Sequence, residues 1–338
     1  MNHAYTNAGR RHRLRALAIL AVLVGACDGT DRLANNDPTT TMDGPTTGPV
    51  AGADSVAAAD PSLTPEFATA TYTYGTRFGA FDCTHVTGLS AYNLCNQAAG
   101  SWSAYYVGKL QALGAKAILN QGGYAKFKDS RGRYSPTKYY YWVQSLKPYA
   151  ASWKPYVLNG TLVGVQVIDD RLASNWGGVS ITNAQIDQMA RWWKQLVPGI
   201  TAFVSGGYAS NLLGYTWYYL DGSINQYNAR YMGSVTTWRD NAVAAARTAR
   251  TSLILSLNVL GGGKLVSGCY HGYSSTTCSM SPTELKTYGA AIAAASGICG
   301  LGTWKFNSTY QARYGVTDAL RYVARLAAAR STASCKRR

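Results

Sequence analysis

The chain predicts an α/β fold of the (β/α)8 TIM-like barrel class, with one irregular or missing strand, behind a disordered tether. Three observations carry this expectation. Strand-like and helix-like stretches alternate along residues 72–338, the pattern of repeated βα units. That stretch holds roughly 267 residues, close to the usual size of one such barrel. Only nine acidic side chains fall in it, and four of them, Asp82, Asp169, Asp170 and Asp221, end short runs that read as buried strands. In parallel α/β folds ligands bind at the carboxyl ends of strands.

A first strand is expected over 78–82, followed by a helix over 102–113 and a strand over 115–121 that ends in Gly122-Gly123. Pro136 suits the first turn of a helix through Tyr139–Val143, and a long apolar run makes a strand of 162–170. Thr182 can cap an amphipathic helix over 183–197 that Pro198-Gly199 stops. Further strands are read at 200–205, 216–221, 253–258 and 299–306, with helices at 235–250, 282–295 and 316–329. This gives seven strands, and the eighth is expected between Ser130 and Tyr156, under helix-like aromatic signals.

The amino-terminal segment reads as a processing signal. Arg10, Arg11, Arg13 and Arg15 form a basic region, residues 16–26 are almost wholly apolar, and Val24-Gly25-Ala26 precede Cys27. The apolar run is shorter than the ~20 residues a membrane-spanning helix needs. Residues 1–27 therefore read as a cleaved lipoprotein signal with Cys27 as the lipidated residue, an ordinary signal with a chance cysteine being the alternative. Residues 28–71, rich in Thr, Pro, Ala, Gly and Asp, bury too little apolar surface to order themselves and read as a tether. The expected location is outside the cytoplasm, lipid-anchored to a bacterial envelope on its periplasmic or surface side.

Setting Cys27 aside leaves Cys83, Cys95, Cys269, Cys278, Cys299 and Cys335, an even number suited to an oxidising compartment. Short separations favour Cys83 with Cys95 and Cys269 with Cys278, leaving Cys299 for Cys335. No metal-ligand spacing occurs, so neither metal nor cofactor is expected. The net charge of +16 falls to +12 without the four leader arginines. It speaks to association with something anionic, or to solubility alone. No nucleic-acid module signature is present, and nucleic acid is not an expected partner.

Val163-Gly-Val-Gln-Val-Ile-Asp-Asp170, Asn175-Trp-Gly-Gly178, Tyr219-Leu-Asp-Gly-Ser-Ile-Asn-Gln-Tyr227, Leu257-Asn-Val-Leu-Gly-Gly-Gly263 and Gly302-Thr-Trp-Lys-Phe306 resemble the glycosidase-type (β/α)8 barrel superfamily, and within it an exported bacterial lipoprotein family. The resemblance covers nearly all of the domain and implies a sugar-facing cleft at the carboxyl end of the barrel. Glycoside cleavage needs two carboxyl groups flanking one bond, and Asp170 and Asp221 are the expected pair. By strand alternation Gln166, Ile168 and Asp170 face the axis while Asp169 points away or braces the loop with Arg171. Asp82, Asp169, Asn120, Gln121, Asn258 and Lys305 are candidate contacts to sugar hydroxyls or a substrate carboxylate. Of the tryptophans, Trp176, Trp217 and Trp304 could stack on sugar faces, Trp304 first because it ends the last strand.

Glu284, the one glutamate of the domain, follows Ser281-Pro282-Thr283, where it complements a helix start. Both catalytic roles would then fall on aspartates. No phosphate loop and no Gly-x-Ser-x-Gly elbow is present. The expectation is a monomeric, carbohydrate-active, glycoside hydrolase-like lipoprotein that meets a carbohydrate or envelope polysaccharide, membrane-associated through its lipid. The alternative is a glycan- or envelope-binding module using the same cleft without cleavage.

Overall fold

The computed structural model describes residues 75–81, 91–206, 209–264 and 277–337. The leader, Cys27, the tether, Asp82, Cys83 and Cys269 lie outside the described residues. Eight strands, β1 Arg77–Ala80, β2 Leu94–Ala98, β3 Lys116–Asn120, β4 Leu162–Ile168, β5 Ala202–Ser205, β6 Gly222–Tyr227, β7 Ser252–Asn258 and β8 Gly300–Trp304, close into a barrel in sequence order. Every pairing is parallel, including β8 back to β1. The TIM-like expectation is therefore met, with all eight strands in place.

Around the barrel run α1 Ser103–Ala112, α2 Pro136–Ser145, α3 Lys147–Leu158, α4 Asn183–Leu196, α5 Val235–Thr248, α6 Pro282–Ala293, α7 Ser308–Gln311 and α8 Val316–Ala328. Their starts follow the local chemistry. Thr182 and Gln185 cap α4 reciprocally, Ser281 and Glu284 do the same for α6, and Ser135 accepts from the Lys138 amide with Pro136 in the first turn of α2. Glu284 also accepts from the Lys264 amide, 2.9 Å away, so it is a helix-start residue as expected.

Side chains alternate between two cores. Leu94, Ile118, Phe203, Ile224, Ile254 and Cys299 fill the barrel interior, whereas Ala117, Leu119, Ala202, Val204, Leu253 and Leu255 pack outward against the helices. Large rings fit inside because other strands supply glycine there: a Cβ on Gly164 would stand 2.6 Å from the Phe203 ring.

Two element assignments are corrected. The strand missing from the sequence reading is β2, not a segment of 130–156, which holds α2 and α3. Asn96 and Gln97 give β2 a polar look, yet both are buried and hydrogen-bonded. Second, 216–221 is not a strand, and β6 begins one residue after Asp221. The amides of Tyr218, Tyr219 and Leu220 donate to the buried Asp187 carboxylate of α4 at 3.2, 2.8 and 2.9 Å, so they are spent before any ladder can form. Between β5 and β6 the chain makes a 3-10 turn, Ala209–Leu212, and then this extended descent in place of an α-helix.

Cys299 and Cys335 are bonded to each other, as expected. Cys278 is disulfide-bonded, and Cys269, its expected partner, lies outside the described residues. Cys95 is corrected: it carries a buried thiol that accepts from Gln97 Nε2 at 3.3 Å. Its side chain faces the helix layer and is sealed there at 0% exposure. Among the described residues no helix is long and apolar enough to cross a membrane, and no group of three or more His, Cys, Asp or Glu could hold a metal ion.

Candidate active site at the carboxyl end of the barrel

The two aspartates expected to act together stand at opposite ends of the barrel. Asp170 follows the carboxyl end of β4, whereas Asp221 precedes the amino end of β6. Asp221 is paired through the backbone with Ala202, which sits level with Val165 of β4. From Val165 to Asp170 the chain climbs five further residues at about 3.3 Å each, on the order of 15 Å. Carboxyl groups flanking one glycosidic bond stand no more than about 9.5 Å apart. Asp221 is also committed elsewhere: Lys194 Nζ lies 2.7 Å from its Oδ2, and the Ala202 amide donates to the same oxygen at 2.9 Å. It is a structural carboxylate of the amino end.

Along β4 the expected alternation breaks before the aspartate pair. The register of β4 on β5 advances from Gln166 against Phe203 to Ile168 against Val204, so two steps on β4 match one on β5. This bulge shifts the alternation by one residue. Val165, Val167 and Ile168 all lie in the helix-facing core, so Ile168 does not face the axis as expected, and Asp169 follows in a bend at the carboxyl end of the strand. Asp170 turns into its own loop, where its carboxylate accepts from the Leu172 amide at 3.3 Å and, at very short range, from Asn175 Nδ2. Its backbone is left-handed, with φ +49°. Gly206, at the end of β5, passes so close that a Cβ there would meet Asp170 Cα at 2.7 Å. Burial raises the Asp170 carboxyl above the usual carboxylate range against the lowering effect of those two hydrogen bonds. Arg171 bonds Asn183 Oδ1 and Ile181 O rather than bracing Asp169.

Beneath the mouth, amide side chains form a buried chain across three strands. Asn96 Nδ2 donates to Gln166 Oε1 at 2.9 Å, and Asn120 Nδ2 donates to Asn96 Oδ1 at very short range. Asn120 Oδ1 also accepts from the Gly122 amide, fixing the turn after β3. With its amide oriented to satisfy both atoms, Gln121 donates to Gln166 O and accepts from the Asp169 amide. Asn120 and Gln121 are thus the support on which Asp169 stands. Asn258 Oδ1 accepts from Gly261 N at 2.9 Å and shapes the turn after β7.

The tryptophans sort by burial. Trp176 is wholly buried with Nε1 on Asp170 O at 2.7 Å, and Trp217 is buried with Nε1 on Leu212 O. Both are structural, which corrects the expectation that Trp176 contacts a ligand. Trp304 is half-buried at the end of β8, beside half-buried Lys305, so both stand at the carboxyl end of the barrel.

Tyr124 escaped the sequence reading. It packs on Trp176 with ring centroids 5.4 Å apart, its hydroxyl donates to Asn175 Oδ1 at 3.2 Å, and Lys128 Nζ lies 5.0 Å over its ring. Burial, then the charges of Asp170 and Asp169, raise its phenol above the usual range. Its phenol therefore keeps its proton beside the acidic pair. Its one sequence signal was its place just after Gly122-Gly123.

No protein-family model and no curated protein sequence matches the chain. Solved structures do. They include the catalytic core of a xylanase A, at 12% identity over 76% of this chain and 99% of that one, with a TM-score of 0.50. The catalytic domain of a GH26 endo-β-1,4-mannanase from Bacillus sp. JAMB-750 aligns at 12% identity over 77% and 87%, TM-score 0.48. A xylanase from Paenibacillus barcinonensis aligns at 12% over 75% and 92%, TM-score 0.47. The likeness is one of fold. At 12% identity the xylanase A core, with its TM-score of 0.50, speaks for the architecture and not for individual residues.

Proposed function

We propose that this protein is an exported, carbohydrate-active barrel, glycoside hydrolase-like, whose carboxyl-end mouth receives a glycan. The observation that carries the reading is the placement of Asp169. A carboxylate just past the carboxyl end of β4, its backbone amide held by Gln121, stands beside a buried Asn96–Asn120–Gln166 chain, with Trp304 and Lys305 at the same end. An aromatic face, amide groups and a carboxylate are what a sugar ring with its hydroxyls calls for. In this reading Asp169 serves as acid or base towards the glycosidic oxygen, Asp170 holds the loop that carries it, and Tyr124 braces that loop through Asn175. The fold neighbours, xylanases and a mannanase, support a carbohydrate as the ligand class.

One observation favours a second reading, a glycan-binding module without turnover. Among the described residues the mouth has no second carboxylate to work with Asp169, since Asp170 is tied into its loop and Asp221 lies at the other end. The full chain, challenged with neutral and acidic polysaccharides, separates the two. Hydrolysis that falls by about 100-fold or more in Asp169→Asn, the usual scale for a lost acid or base, and persists in Asp221→Asn supports the enzyme. Retention of polysaccharide without new reducing ends supports the module. Turnover indifferent to Asp169→Asn rejects the site.

The basic, apolar and small-residue sequence up to Cys27, followed by the Thr/Pro-rich 28–71 segment, supports lipid anchoring at Cys27 with the barrel on a tether. Incorporation of labelled palmitate that survives Cys27→Ser would reject that part of the reading.

A further inference from the structure

At the amino end of the barrel, opposite the mouth, a cavity of about 390 Å³ opens between the end of α5, the start of β7, the turn before β8 and the carboxyl-terminal tail. Arg247, Arg250 and Lys336 line it, with the hydroxyls of Thr251, Ser296 and Ser334, and no carboxylate is among its lining residues. None of the three cationic side chains makes a hydrogen bond or ion pair with a described residue. Asp221, the acid that precedes β6 at this end, is taken by Lys194. Three like charges facing one concavity repel one another, and an anion held between them relieves that repulsion.

Helix ends favour bases in their last turn, which accounts for Arg247 alone. Arg250 lies beyond the helix in the left-handed region, φ +54°, a position where glycine is the unstrained residue. The fold tolerates that strain and gains a guanidinium on the cavity wall. Lys336 arrives from a different segment, and its place is fixed. Cys335 is bonded to Cys299, Cys335 O accepts from Ser252 Oγ at 2.8 Å, and the Ala333 amide donates to Ile298 O at 3.0 Å. The tail is thus strapped across the barrel's amino end with Ser334 and Lys336 on either side of the strap.

We propose that this cavity is a binding site for a phosphate group. Two forked guanidiniums and an ammonium suit a tetrahedral oxyanion of up to two negative charges better than a single carboxylate. The cavity is also roomier than a lone ion needs, so it accepts a phosphate ester. The ester is either a soluble compound or the headgroup of an anionic lipid, and the site does not depend on the sugar-processing reading of the mouth.

The full chain at low salt is titrated with inorganic phosphate and, separately, with acetate. Its co-sedimentation is measured with phosphatidylcholine vesicles with and without phosphatidylglycerol. Phosphate is expected to bind in preference to acetate, and Arg250→Gly to weaken it by about tenfold, the scale of one charge-assisted contact. The melting temperature of Arg250→Gly is expected to be unchanged or higher, because glycine suits that backbone. Lys336→Gln is expected to weaken phosphate similarly. Extra sedimentation with phosphatidylglycerol that free phosphate and both substitutions reduce identifies a lipid source. Phosphate binding without it identifies a soluble ester. Phosphate affinity unmoved by both substitutions, or acetate bound as tightly as phosphate, overturns the proposal.

Discussion

The two ends of this barrel use the same residue type for opposite purposes. At the carboxyl end Asp169 and Asp170 follow β4, the second turned into a loop where Leu172 and Asn175 hold its carboxylate. At the amino end Asp221 precedes β6 and is consumed by Lys194 and a backbone amide. The cations there outnumber it, and those of the cavity wall stay unneutralised. An aspartate beside a strand therefore means little until the strand's direction is known. At one end it stands at the mouth, and at the other it is part of the framework beside a basic surface.

The contrast can be broken at the segment that delivers Asp221 to its end. Asp187 holds that descent through three consecutive amides, and Asp187→Ala leaves these buried donors without an acceptor. A loss of about 3 kcal/mol in urea-unfolding stability is expected, since each stranded donor costs on the order of 1 kcal/mol or more. Removing Asp221 itself should cost less, because Lys194 remains partly in water. Asp221→Ala is expected to lower stability by about 2 kcal/mol and to leave ligand affinity at the mouth unchanged in the same preparation. A change in that affinity would undo the separation of the two ends.

The smallest effect sharpens the contrast within the acidic pair. Asp170 is held above its ordinary proton affinity by burial, so the folded state binds its proton more tightly than the unfolded state does. Its stabilising contribution is full below the unfolded value and is lost as pH rises through the raised folded value. Asp170→Asn should remove that decline and differ from the wild type by less than about 1 kcal/mol at neutral pH. Unfolding midpoints measured across pH 3 to 7 check the sign, and a wild type that gains stability relative to Asp170→Asn over the acid range would contradict it.

The barrel class was legible because seven βα-like alternations survive in the hydrophobic pattern, and caps such as Thr182 and Ser281 announce their helices directly. What escaped was local. β2 was hidden because Asn96 faces a polar barrel interior, so its buried positions do not look apolar. The 216–221 segment reads as a strand because Tyr, Thr and Trp favour strands. Its amides, however, are claimed by an aspartate more than thirty residues earlier, which no local window can register. The importance of the β4 end was legible, but not that the alternation breaks at a bulged residue with no composition signal, nor that Asp170 turns into its own loop. Tyr124 was passed over because its role depends on Trp176 and Asn175, distant in sequence.

The irregularity in β4 takes up one residue that the β5 ladder does not match. Deleting Val167, the first of two successive helix-facing residues, would restore the plain pleat with Ile168 still against Val204, and the doublet that follows would keep its footing. A lineage that had lost that residue would carry the same Asp-Asp doublet one position earlier in its sequence, so column-by-column comparison would need a single-residue gap inside β4 to pair the two.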